Sequence, residues 1–74
     1  MDTEMVKELV QRHAKREAEL DQDIKEITDR VIDATKGGGF SAHQAYRMMN
    51  AATETKRQER ADLDTFERVL MSLL

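Results

Sequence analysis

Three consecutive glycines, Gly37, Gly38 and Gly39, break the middle of a 74-residue chain that contains no proline. The residues on either side are dominated by Ala, Glu, Lys, Arg, Gln, Met and Leu, which favour helix. The glycines therefore either fold two helices back on each other or tether two independent ones. Helices commonly stop at a glycine in the left-handed conformation, because glycine has no Cβ to clash. Lys36, just before that stop, places a cation at the negative end of the helix dipole. Ser41 followed by Gln44 has the capping-box spacing, with Phe40 and Ala45 at the positions of a hydrophobic staple. The chain is expected to be one domain, 1–74, with a helix over 2–36, a glycine-rich turn over 37–40 and a helix over 42–74. Each helix is about 50 Å long at ~1.5 Å per residue.

A turn is favoured over a tether if the two helices match when folded back. In the first helix a heptad row runs through Thr3, Val6, Val10, His13, Glu17, Leu20, Ile24, Ile27, Val31 and Ala34. Its alternating spacing of three and four is that of a coiled-coil seam. The corresponding row in the second helix is Ala42, Ala45, Met49, Ala52, Lys56, Glu59, Leu63, Phe66, Leu70 and Leu73. Paired antiparallel about Gly38, Ala34 faces Ala42, Ile27 faces Met49, Leu20 faces Lys56, His13 faces Leu63, Val10 faces Phe66 and Val6 faces Leu70. On the flanks Arg16 meets Asp62, Lys7 meets Glu67 and Leu9 meets Val69, with no like-charge pair. The expected fold is all-α: an antiparallel helical hairpin with a coiled-coil-like seam.

A two-helix hairpin buries only one seam, and domains of this size often lean on oligomerisation. Apolar residues remain outside it. Met5, Leu9 and Val69 lie on one flank, with Met48 further along. Ile32, Tyr46, Met71 and Leu74 lie on the other. These eight residues are the candidate surface for self-association or partner binding, and a homodimer giving a four-helix bundle is the expected assembly.

The middle of the seam is polar, through His13, Glu17, Lys56 and Glu59. Polar seam residues fix register and oligomeric state while reducing stability. An imidazole in such a layer also predicts assembly that varies between pH 5 and 8. A dimer would bring four such glutamates and two histidines together, an inventory resembling a di-iron carboxylate bundle. Those sites use Glu-x-x-His, whereas here His13 precedes Glu17 by four, with Lys56 close by. No metal or other cofactor is expected.

Arg12, Lys15 and Arg16 come level with Lys56, Arg57 and Arg60, a basic cluster that phosphate contacts could use through counterion release. A dimeric helical hairpin with such a cluster resembles plasmid Rop-type proteins, which bind RNA. The resemblance is one of fold alone, and RNA or DNA binding is the alternative reading. Against it, acidic residues interleave with the basic ones in intrahelical pairs such as Glu8–Arg12 and Asp64–Arg68.

Cysteine is absent, which excludes disulfides and thiolate chemistry. No stretch reaches the ~20 apolar residues of a membrane span, and MDTEMVKELV lacks the basic region and apolar run of a signal peptide. A cytoplasmic protein without membrane contact is expected. GGGF follows a helix and lacks the Gly-Lys-Ser/Thr ending of a phosphate loop, and Ser41 is accounted for by its cap, so no catalysis is expected. The function expected is that of a small acidic interaction module, a bacterial or phage-type regulator that self-associates and modulates a partner protein by helix packing.

Overall fold

The structure, a computed structural model, describes residues 2–74. Helix α1 spans Thr3–Thr35 and helix α2 spans Ala42–Met71. They pack against each other as a helical hairpin measuring 56 × 15 × 12 Å along its principal axes. Asp2 caps α1, its carboxylate accepting from the Glu4 N–H at 3.2 Å. Helix α2 ends at Met71, short of the expected 74. Beyond it the Leu73 and Leu74 N–H groups donate to the carbonyls three residues back, Leu70 and Met71, the tighter bonding common at helix ends.

The glycines form a defined turn. Lys36 at φ −63°, ψ 119° and Gly37 at φ +73° are the central residues of a type II turn. The Gly38 N–H closes it by donating to the Thr35 carbonyl at 3.3 Å. Gly39 is also left-handed, at φ +78°. A Cβ on Gly38 would lie 3.1 Å from the Phe40 ring, which folds back over it. The capping box then starts α2: Ser41 Oγ accepts from the Gln44 N–H at 3.1 Å, and Gln44 Oε1 accepts from the Ser41 N–H at 2.8 Å.

Helix α1 presents the row its sequence announces. Val6 and Leu20 are fully buried, and Val10, His13, Glu17, Ile24, Ile27 and Val31 are half-buried. Helix α2 does not. Thr53 and Leu70 are its buried residues, and Ala45, Met49, Asn50, Lys56, Glu59, Arg60, Leu63, Asp64 and Glu67 are half-buried. Ala52 is exposed, Phe66 is 48% exposed and Leu73 56%. Two heptad rows share Met49, Lys56, Leu63 and Leu70. One adds Ala52, Glu59 and Phe66; the other adds Thr53, Arg60 and Glu67, and the second lies deeper, with Thr53 buried while Ala52 and Phe66 are exposed.

Charge pairs between the helices accompany this phase. Arg60 reaches Glu17 at 3.3 Å and Asp21 at 3.0 Å, and Lys56 reaches Asp23 at 3.2 Å. Thr53 is buried without an orphaned hydroxyl, since its Oγ1 donates to the Met49 carbonyl at 2.8 Å, as buried polar groups require. The flanking pairs shift accordingly. Arg16 meets Glu59 rather than Asp62, and Lys7 pairs with Glu4 within α1 rather than with Glu67. Near the turn Ala34 and Ala42 are both exposed, so the packed seam begins at Val31 and Ala45.

Candidate interaction surface and polar layer

The polar layer is built from both helices. Two nitrogens of Arg16 donate to both Glu59 oxygens, at 2.6 and 3.1 Å. This two-pronged geometry is the strong form of an arginine–carboxylate pair. The Arg16 hydrogen bonds hold the Glu59 carboxyl below the usual carboxylate range. Glu59 is at the edge of the layer, its side chain 44% exposed. On the opposite side Glu17 is deeper, with its side chain only 12% exposed. Burial pushes its carboxyl upward, the neighbouring Glu67 carboxyl adds to the shift, and Arg60 opposes it. Carboxylate oxygens of Glu17, Asp64 and Glu67 lie within 4.8 Å of one another. Such crowding of like charges favours a protonated member.

Two buried atoms of this layer have no hydrogen-bond partner, Glu17 Oε1 and His13 Nδ1. The His13 ring lies tilted 39° against Phe66, with centroids 5.1 Å apart, so the imidazole meets an aromatic face where Leu63 was expected. The contributions of Asp64 and Glu67 escaped the heptad reading, which placed both outside the seam. The signal that could have found Glu67 is the series Thr53, Arg60, Glu67 at seven-residue intervals.

The basic cluster is largely occupied by carboxylates. Arg12 is held by Glu8 at 2.8 Å, Arg16 by Glu59 and Glu19, Lys56 by Asp23, and Arg60 by Glu17 and Asp21. The Arg57 guanidinium donates to the Asn50 carbonyl at 3.3 Å. Among the described residues Lys15 of this cluster has no acidic side chain within 4 Å. The positive charges expected to line up for phosphate are thus dispersed into local pairs.

The apolar flanks are unequal. The Arg16–Glu59 pair ties two rows to one side of the hairpin. On α1 the row is Leu9, Arg16 and Asp23 at seven-residue spacing; on α2 it is Ala52, Glu59, Phe66 and Leu73. Met5 lies one turn before Leu9, Met48 one turn before Ala52, and Val69 one turn after Phe66, so all three belong to this side. Met5, Met48, Phe66, Val69 and Leu73 are 41–56% exposed there, and Leu9 is half-buried. The other side, marked by Glu17–Arg60, carries Tyr46 and Leu74 in the row of Thr53, Arg60 and Glu67. Ile32 and Met71 are the further exposed apolar residues of that side. Rotation of α2 has therefore left Phe66 and Leu73 about half exposed at the edge of the seam, on the Leu9 flank.

No helix among the described residues is long and apolar enough to cross a membrane. In comparisons with known proteins, no family model, no curated protein and no solved structure matches the chain.

Proposed function

We propose that this chain is a non-enzymatic interaction module, a small regulator that self-associates and engages a partner protein by packing helix against helix. The observation that carries the reading is the imbalance of its apolar residues. Among the described residues Val6, Leu20 and Leu70 are the buried hydrophobics, whereas ten large hydrophobics are exposed. Monomers rarely leave contiguous apolar surface uncovered, and where they do it marks an interaction site. The flanks beside the seam supply that surface, and the ion-paired layer between the helices holds their phase.

Nucleic-acid binding finds less support, because most of the basic cluster already has carboxylate or carbonyl partners. The two readings separate in one set of titrations against duplex and single-stranded RNA. The interaction module shows no salt-steep affinity, and helix packing is lost on one side with Leu9→Asp and on the other with Met71→Asp. Tight RNA binding that falls steeply with salt and on Arg57→Ala would contradict it.

A further inference from the structure

We infer that the occupant of the Leu9–Phe66 flank is a second copy of this chain, docked about a two-fold axis running along the hairpin, so that both open ends lie together. This rests on the self-association reading above and assigns its face and orientation.

Area is the first support. A face 56 Å by 15 Å has room for the roughly 800 Å² that one partner contributes to a standard stable interface. Hydrophobic distribution is the second. The exposed apolar residues of this side concentrate at the open end, where Met5 and Leu9 on α1 lie beside Phe66, Val69 and Leu73 on α2. A lengthwise two-fold sets α1 of one copy against α2 of the other at the same level. Leu9 and Met5 then meet Val69 and Leu73 of the second copy.

Charge is the third support. Next along the flank, α1 offers Arg12, while α2 offers a shallow groove whose Glu54 and Asp62 carry no ion pair among the described residues. The lengthwise axis brings the Arg12 guanidinium, which spends one donor nitrogen on Glu8, within reach of Asp62 of the second copy. A crosswise axis would turn one copy end for end and put Leu9 against the charged stretch Asp29, Arg30 and Asp33. Neighbouring helices are antiparallel throughout the lengthwise arrangement, as in an up-down-up-down bundle.

The test combines solution mass with a label distance. Light scattering over a concentration series should give twice the chain mass. Phe66→Asp should raise the dissociation constant at least about 30-fold, the effect of removing an interface hot spot, while Tyr46→Asp on the other flank leaves it unchanged. Circular dichroism reports whether each variant keeps its helices, and Val69→Asp replaces Phe66→Asp if that variant unfolds. Because the chain has no cysteine, Ser72→Cys carries a single spin label at the open end. Two labels in the dimer should lie roughly 15–25 Å apart, given helix spacings of about 8–10 Å. A monomer at every concentration would overturn both the inference and self-association itself. A dimer that tolerates Phe66→Asp and Val69→Asp but fails on Tyr46→Asp would overturn the face and leave self-association standing. A label distance approaching the 56 Å length of the hairpin would overturn the lengthwise axis.

Discussion

The two helices are nearly equal in length, yet they meet each other on different terms. Helix α1 commits an apolar row centred on Leu20 and flanked by Val6, Ile24 and Ile27. Helix α2 faces it with a mixed row in which Thr53, Lys56, Arg60 and Glu67 alternate with Met49, Leu63 and Leu70. One helix is oriented by burial. The other presents side chains that pair with charged residues of the first, and it leaves Phe66 and Leu73 about half exposed at the edge of the seam. A helix with two competing rows can thus satisfy its hairpin partner with one and keep the other for a second contact.

Substitutions can break or sharpen this contrast. The largest effect is expected at the centre of α1. Leu20 is fully buried, so Leu20→Ala should destabilise the hairpin by about 2–5 kcal/mol, measured by urea unfolding. A loss below about 1 kcal/mol would mean that the α1 row is not the packed one. The connection between the helices comes next. Gly37 is left-handed at φ +73° with open space around it, so Gly37→Ala should cost about 1–2 kcal/mol through backbone strain alone. An unchanged midpoint would point to a tether in place of a turn. On α2, Thr53→Val should stay within about 1.5 kcal/mol, because it removes one internal hydrogen bond to the Met49 carbonyl and keeps the volume.

The polar layer gives the smallest effects and the clearest sign. The folded-state Glu17 carboxyl is raised, so its contribution favours folding at low pH and is lost as pH rises through its folded value. Glu17→Gln should therefore be more stable than the parent at pH 7, with the difference closing below the ordinary carboxylate range. Glu59 is lowered by Arg16, so its contribution is present above that range and lost as pH falls through its folded value. Glu59→Gln should be less stable than the parent at pH 7 and converge with it in acid. Thermal midpoints of the three proteins from pH 7 downward check both signs, and shifts in the same direction would refute the opposed roles.

Much of the hairpin was legible in the sequence because its signals are local. Lys36-Gly37 and the Ser41–Gln44 box specify a stop and a start within a few residues, and the α1 row is apolar enough to have one reading. The phase of α2 was not legible in the same way. Phe66 and Ala52 made one row the more hydrophobic, and hydrophobicity alone chose it. The deciding contacts join residues more than thirty positions apart, Arg60 to Glu17 and Asp21 and Lys56 to Asp23. A heptad count within one helix cannot weigh them. The same rotation hid the Glu17, Asp64 and Glu67 cluster and disguised Phe66 as a core residue.

Phe66 is therefore where the account is most directly tested, by thermal unfolding of Phe66→Gln and the parent protein over a wide range of concentrations. If Phe66 serves a contact between copies, the midpoint of the parent rises with concentration, and the variant falls progressively further behind it. At the dilute end the two proteins differ only by the loss of the half-exposed His13–Phe66 contact within one hairpin. If Phe66 instead belongs to the seam of a single hairpin, the variant loses stability at every concentration alike, by the roughly 3–5 kcal/mol of a truncated core aromatic.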